Sequence, residues 1–187
     1  MGTVPTPFDF AANAGNIPTA AILQAQIGDP LTFMISTKPR VFLRSAAAQS
    51  IPTGAFTALT FDTEPYDVND PVTAASMHSI ITNLSRITAQ VAGTYQFSGS
   101  CSFTGNATGR RGLRWDVNGT TPVAGSQIIQ AATTTGNVGI MAASVPISLG
   151  IGDYVELKAF QDSGGALATV VSIVESQPSV NAFWLAP

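Results

Sequence analysis

The sequence predicts an all-β domain, built as one antiparallel sandwich or barrel, that follows a short arm with one helix. The clearest strand covers residues 93–103, where apolar or small residues alternate with Thr, Gln and Ser. Strict alternation is typical of a strand with one buried face. From Arg40 onward, about nine or ten short segments of this kind are separated by turn residues, without a helical period. Short strands at regular spacing indicate a sandwich or barrel.

The N-terminal arm differs in character, so the chain is predicted to divide into residues 1–39 and 40–187. A helix is predicted over Thr19–Ile27 and is expected to end at the Gly28-Asp29-Pro30 turn. A helix of this length is marginal in water and needs a partner surface. That surface is predicted to belong to another protein or to sister arms, with packing beneath the arm's own β domain as the competing prediction. The predicted anchoring residues of the arm are its apolar ones: Phe8, Phe10, Ile22, Leu23, Ile27, Leu31, Phe33 and Met34.

The strands of residues 40–187 also predict the core. Alternation continues through Leu113, Trp115 and Val117, followed by the turn dipeptide Asn118-Gly119. The side chains expected between two sheets are Tyr95, Phe97, Cys101, Phe103, Leu113, Trp115, Val117, Val155, Leu157, Phe183 and Leu185.

Composition and charge exclude several classes of protein. Only 10% of the residues are charged, and the net charge of −3 argues against a nucleic-acid binder that relies on bulk electrostatics. No apolar run approaches the roughly 18 residues of a membrane span, and Met1–Phe10 lacks the basic start of a secretory signal. A surface with so few charges favours an oligomer, because net charge is what usually keeps monomers apart.

The sequence offers no convincing catalytic or metal-binding constellation. The one histidine, His78, lies in a predicted loop and is expected to be solvated, and the lone Cys101 is expected to be a buried structural thiol. Four acids are expected to form a solvated turn, with a calcium site as the alternative that no EF-hand spacing supports: Asp62, Glu64, Asp67 and Asp70. We therefore expect a protein that is not an enzyme, with no catalytic residue, no metal and no cofactor.

Half of the six arginines cluster at Arg110, Arg111 and Arg114. Guanidinium groups bind phosphates and carboxylates in a bidentate manner, so these three residues could form a patch for an anionic glycan or a phosphate. Alternatively, they pair with nearby acids of the same chain, or with acids of a neighbouring subunit. The candidate acids of the same chain are Asp116, Asp153 and Glu156.

The order of the motifs in residues 40–187 resembles the tumour-necrosis-factor-like jelly roll, in the variant found in the globular head of the complement recognition subunit. The motifs are Phe61, Tyr66-Asp67, Arg86-Ile87-Thr88, Ala92-Gly93-Thr94-Tyr95-Gln96-Phe97, Asn118-Gly119, Gly152-Asp153-Tyr154-Val155-Glu156-Leu157 and Phe183-Trp184-Leu185. The last motif departs from the family, which usually has Gly between two aromatic residues where this chain has Trp184. The resemblance implies an antiparallel jelly-roll sandwich of about ten strands and a threefold homotrimer. The predicted trimer interface combines Trp184 with small side chains that allow close approach, Ser98, Ser100 and Ser102.

The arm resembles the start of structural proteins from tailed phages of Gram-positive, especially actinobacterial, hosts. The residues concerned are Val4-Pro5-Thr6-Pro7-Phe8, Pro18-Thr19-Ala20-Ala21 with Leu23, and Ile27, Asp29, Leu31 and Phe33. The resemblance implies a virion component assembled in the bacterial cytoplasm, either a minor tail protein or a head decoration or fibre subunit. Its partners would be itself and other tail or capsid proteins, without nucleic acid or membrane. A carbohydrate-binding module that recognises a host surface glycan is the second alternative, with Trp115, Tyr154 or Trp184 as stacking platforms.

Overall fold

The computed structural model describes residues 19–68, 75–133 and 136–187. Its strands in chain order are β1 (Arg40–Arg44), β2 (Ser50–Ile51), β3 (Thr57–Ala58), β4 (Thr63–Val68), β5 (Ile87–Thr88), β6 (Gly93–Phe103), β7 (Arg110–Val117), β8 (Thr121–Pro122), β9 (Ile128–Ala131), β10 (Val138–Met141), β11 (Val145–Leu149), β12 (Tyr154–Gln161), β13 (Leu167–Ala168) and β14 (Ser179–Ala186). A 3₁₀ turn, Val174–Ser176, precedes β14.

The strands form two antiparallel sheets packed as a jelly-roll sandwich, which confirms the predicted fold class. The first sheet has the order β10–β6–β14–β1–β4, and β11 continues β10 along the same edge of β6. The second has the order β3–β12–β7–β8, with β5 also paired to β12 and β9 to β7. A small third sheet pairs β13 with β2. Strand β6 covers residues 93–103, as the alternation predicts.

The core lies between the inward faces of the two sheets. The Phe97 ring of the first sheet lies 5.5 Å from the Trp115 ring of the second, measured between centroids. The Trp115 indole N–H donates to the backbone oxygen of Ala143 at 3.0 Å, so this buried aromatic keeps its one polar group paired. The predicted core residues that are fully buried are Tyr95, Phe97, Cys101, Phe103, Leu113, Trp115, Val155 and Leu157.

Three members of the predicted core differ from expectation. Val117 is only half-buried, and Phe183 and Leu185 are wrong as core residues, with exposures of 40% and 45%. The reason is the register of β14, in which Trp184 lies opposite Tyr95 and so shares its inward face. Alternation then turns both neighbours of Trp184 outward.

The helical segment of the arm runs from Ala20 to Thr37 as alternating α and π turns: Ala20–Leu23, Gln24–Gly28, Asp29–Thr32 and Phe33–Thr37. Thr19 caps its start by accepting from the Ile22 N–H at 3.3 Å. The predicted end at the Gly28-Asp29-Pro30 turn is wrong, because the helix continues through Pro30. Proline lacks an N–H for the helical ladder, and the π turn immediately before it changes the hydrogen-bond register so that the Asp29 N–H reaches Gln24.

None of the described helical turns is long and apolar enough to cross a bilayer.

Candidate assembly surfaces and binding cleft

The outward face of the first sheet brings the three predicted interface serines together. Ser98, Ser100 and Ser102 alternate along β6 on the side opposite the core, and all are half-buried. The Ser100 hydroxyl lies 3.1 Å from that of Ser179 on β14. The three serines form a row of small side chains, which we call the serine row. Neighbouring backbone can approach this row closely.

Aromatic side chains that the sequence analysis did not assign to an interface share this face. Phe42 on β1 packs against Tyr66 on β4, with ring centroids 6.0 Å apart. Phe183 lies beside them on β14, and Tyr66 and Phe183 are 37% and 40% exposed. We call Phe42, Tyr66 and Phe183 the aromatic ridge. Across the serine row on β10, Met141 is 70% exposed. The outward face is therefore a groove of serines with apolar side chains on both sides.

Trp184, the fourth predicted interface residue, lies inside its own domain. Its side chain is 2% exposed, and the indole N–H donates to the backbone oxygen of Ala92 at 3.2 Å. Gly93 leaves room for the ring, since a Cβ there would collide with the indole. A buried side chain has no surface for a neighbour, so the structure corrects this assignment.

Two cations on the outward face lack an acidic partner in the described part of the chain. The ion pairs of residues 19–68, 75–133 and 136–187 involve Arg110, Arg114 and Lys158, and neither Arg40 nor Arg44 takes part. The Arg44 Nε is buried without a hydrogen-bond acceptor. Buried donors normally have partners, and the described residues leave this donor without one.

Among the helical residues whose burial is described, Phe33 is the one that is buried. Phe33 is 3% exposed and meets the Trp184 ring edge to face, with centroids 5.2 Å apart. This position corrects the assignment of Phe33 to external anchoring. For Phe33 alone, it agrees with the competing prediction that the helix packs beneath its own β domain. The other predicted arm residues that the structure describes are 39–56% exposed: Ile22, Leu23, Ile27, Leu31 and Met34. Phe8 and Phe10 lie outside the described residues.

The predicted arginine patch is occupied by contacts within the chain. The Nε and Nη2 of Arg110 both donate to one carboxylate oxygen of Asp162, at 3.0 and 2.9 Å. Arg111 is fully buried and donates to the backbone oxygens of Asn106, Thr108 and Arg110. Its burial lowers the pKa of the guanidinium. Arg111 therefore organises the loop before β7 and is not available to an external ligand.

Arg114, the third member, belongs to a charge network on the outward face of the second sheet. Its guanidinium binds both Asp116 carboxylate oxygens, at 2.7 and 3.0 Å. Asp116 is buried and also pairs with the Lys158 amine at 3.0 Å. Lys158 lies 3.9 Å from Glu156, which accepts from the Ser85 hydroxyl. We call Arg114, Asp116, Lys158 and Glu156 the charge network. Pairing of Arg114 with Asp116 is one of the alternatives left open by the sequence.

His78 is buried rather than solvated, contrary to the sequence-based expectation. Its ring nitrogens lie 2.9 Å from the Arg86 backbone oxygen and 3.1 Å from that of Phe61. A neutral ring can donate to one of these oxygens and a protonated ring to both. His78 thus ties the segment before β5 to the rest of the domain. No nucleophile among the described residues is hydrogen-bonded to this ring.

The acidic group also differs from the expected solvated turn, because Glu64 and Asp67 lie on β4. Asp67 lies opposite Val41, and one of its carboxylate oxygens accepts from the backbone N–H of His78 at 2.9 Å. Burial raises the pKa of Asp67 to about 6, against the opposing effect of that hydrogen bond. Asp70 lies outside the described residues. Within residues 19–68, 75–133 and 136–187, no three His, Cys, Asp or Glu side chains form a group that could hold a metal ion.

A polar cleft of about 370 Å³ opens beside His78. Its lining includes Arg86 and Tyr154, and the Arg86 guanidinium lies 4.2 Å from the centre of the Tyr154 ring. Of the predicted stacking residues, Tyr154 lines this cleft, whereas Trp115 and Trp184 are buried in the core. Trp184 lines a separate, smaller cavity of about 220 Å³ together with Phe183. The sequence motif around Arg86 indicated a strand but gave no sign of this cleft.

Comparison with known proteins identifies the fold. No family model matches the chain, and no curated protein matches it. Among solved structures, the globular domain of zebrafish complement 1qA protein is similar, with 19% identity and a TM-score of 0.51 over 79% of this chain and 98% of that one. Murine APRIL at pH 5.0 is similar over 79% of this chain and 99% of its own, with 11% identity and a TM-score of 0.54. These likenesses establish the complement/tumour-necrosis-factor type of jelly roll.

Proposed function

We propose that the protein is a non-enzymatic structural subunit of a bacteriophage virion, a homotrimeric minor tail protein exposed on the particle and anchored by its N-terminal arm. The observation that carries the proposal is the outward face of the first sheet. It combines an exposed aromatic ridge, a row of small serines and two arginines without described acidic partners. A single soluble chain gains nothing from such a face, whereas an assembled one buries it.

The arrangement of that face favours a ring of identical chains. On this outward face, the aromatic ridge lies towards the β4 edge of the sheet. The serine row and Met141 lie towards the β10 edge. A contact in which the ridge of one chain enters the serine groove of the next is heterologous, and such contacts close into a ring when the rotation between neighbours closes. The sequence resemblance to threefold jelly rolls sets the number of chains in this proposal at three.

The helical segment supports anchoring to another virion protein. Phe33 fixes the segment to the domain at Trp184, while its remaining large apolar side chains are exposed. The exposure rises to 74% at Ile35. We assign the exposed apolar side of this segment, together with the N-terminal residues of the arm, to contact with the tail. The origin of the virion assignment is the resemblance of the arm to phage structural proteins.

A head decoration or capsid fibre protein would use the same two surfaces. The two placements differ in copy number, because a head lattice presents many more equivalent sites than a tail. Quantitative mass spectrometry of purified particles, referenced to the major capsid protein, separates them. A ratio of a few trimers per particle supports the tail, and a ratio close to that of the capsid protein supports the head.

Deletion of residues 2–32 tests the anchoring role. Because the deletion ends before Phe33, it leaves the edge-to-face contact with Trp184 in place, and we expect a folded jelly roll that no longer enters particles. Leu31→Ser combined with Ile35→Ser should weaken incorporation, whereas Ile81→Ser, at a position 84% exposed on a different loop, should not. Normal incorporation of the truncated chain would contradict the proposal.

A further inference from the structure

The cleft beside His78 contains a cation that the rest of the described chain leaves unpaired. The lining of the cleft combines this cation, Arg86, with hydroxyl and amide side chains and with a smaller number of other residues: Ser76, Ser79, Thr82, Asn83 and Thr88, and Met77, His78, Gly152 and Tyr154. No carboxylate of residues 19–68, 75–133 and 136–187 forms an ion pair with Arg86. The volume of the cleft, about 370 Å³, lies at the lower end of the range for small-molecule sites.

The position of Arg86 is fixed from three sides. Its backbone N–H donates to Asn83 at 2.9 Å, and its backbone oxygen lies 2.9 Å from the His78 ring. Its guanidinium stacks on Tyr154, which belongs to β12 and lies opposite Thr88 of β5. The two backbone contacts position the residue, and the stacking on Tyr154 restrains its guanidinium, which reduces the freedom lost when a ligand binds.

The chemistry of the lining selects a class of ligand. A planar guanidinium offers paired donors that match a carboxylate or a phosphate. The hydroxyls of Thr82 and Thr88 and the amide of Asn83 can exchange hydrogen bonds with a polyhydroxylated compound. The Ser79 hydroxyl already accepts from the backbone N–H groups of Ile81 and Thr82. We propose that the cleft binds one unit of an acidic sugar, a monosaccharide that carries a carboxylate or a phosphate.

Two simpler occupants fit the site less well. A neutral sugar commonly needs an open aromatic face, and here the described guanidinium already covers the face of Tyr154. A bare anion would use Arg86 but would leave the hydroxyl-rich remainder of the cleft without contacts. The proposal goes beyond the assembly role and does not depend on it, because neither the serine row nor the helical segment lines the cleft.

Ligand-observed NMR of the full-length protein tests the proposal with four probes: glucuronate, glucose 6-phosphate, glucose and inorganic phosphate. We expect saturable binding of both acidic sugars, at least about tenfold tighter than that of glucose or of phosphate alone. Binding of only one acidic sugar would identify which anion the site takes. Equal binding of glucose and glucuronate, equal binding of phosphate and glucose 6-phosphate, or no saturable binding of either acidic sugar would overturn the proposal.

Variants locate the binding. Arg86→Gln should weaken acidic-sugar binding about tenfold or more, and Arg86→Lys should weaken it less because the charge remains. Arg110→Gln is the matched control, since it removes an exposed arginine outside the cleft and should bind as the parent does. Should Arg86→Gln fail to fold, as judged by near-UV circular dichroism, Thr82→Val provides the second test at the lining. Unchanged binding in a folded Arg86 or Thr82 variant would contradict the assignment, whatever the oligomeric state proves to be.

Discussion

The outward faces of the two sheets differ in whether their charged side chains form ion pairs. On the second sheet, Arg114, Lys158, Asp116 and Glu156 form ion pairs with one another, and the buried Asp116 has two cationic partners. On the first sheet, the described cations have no acidic partner, and aromatic side chains stand exposed beside serines. Within the described residues, the charged side chains of one face pair with one another, and the arginines of the other face have no acidic partner.

We base the proposed interaction surface on this difference, without reference to any relative. Burying unpaired polar groups is costly, so a chain normally satisfies them internally or in an assembly. The charge network satisfies its members internally, and replacing them should change the stability of the single chain. Replacing residues of the serine row should change assembly instead. The predictions below test that separation, beginning with the core that both sheets share.

The largest effect is expected from Trp115→Ala. The substitution removes the aromatic contact with Phe97 and leaves a cavity between the sheets, so unfolding free energy should fall by about 3–5 kcal/mol. Urea denaturation followed by circular dichroism measures the change. Ile81→Ala, at an 84% exposed position on neither face, should stay within about 0.5 kcal/mol of the parent. Similar losses in both variants would mean that Trp115 does not pack in the core.

A smaller loss is expected when the charge network is broken by Asp116→Asn. Arg114 and Lys158, whose side chains are 22% and 14% exposed, would lose their shared carboxylate. The unfolding free energy should fall by about 2 kcal/mol, the range of hydrogen bonds to charged groups. Asp162→Asn at the exposed Arg110 pair is the matched control and should have a much smaller effect. Neither variant should alter the mass of the assembly.

A third effect depends on pH and concerns Asp67 on the edge strand of the first sheet. Its pKa of about 6 in the folded chain exceeds the ordinary value of 3.8, so the folded state binds the proton more tightly. Stability from this group is therefore complete below about pH 4 and is lost as pH rises through 6. Asp67→Asn should melt at a higher temperature than the parent at pH 7.5 and at nearly the same temperature at pH 4. An equal shift at both pH values would contradict this assignment.

Patterns of alternation predicted the fold well where one strand face is uniformly apolar. Strand β6 is the clearest case, because its two faces differ at every position from Tyr95 to Phe103. Strand β14 carries the run Ala182-Phe183-Trp184-Leu185, in which either register buries large side chains, so alternation could not choose between them. The choice follows from Gly93, which leaves room for the Trp184 ring across the sheet.

The candidate sites were less predictable because they depend on partners far apart in the sequence. Arg110 and Asp162 pair across 52 positions, and nothing near Arg110 indicates that acid. The cleft around Arg86 forms only when His78 and Tyr154 come together from different segments. The clustering of Arg110, Arg111 and Arg114 in the sequence therefore suggested a ligand patch, whereas the isolated Arg86 gave no such signal. The serine row was predictable because its members share one strand.

The molar mass of the purified chain in sedimentation equilibrium tests the central claim most directly. The parent should have three times the 19.3 kDa of one chain at micromolar concentration. Ser98→Arg, which places a long cation in the serine groove, should reduce the mass to that of one chain while leaving the fold intact. Thr121→Arg, at an exposed position on the second sheet, should remain trimeric. A monomeric parent, or a Ser98→Arg variant that stays trimeric, would contradict the assignment of the first sheet as the assembly face.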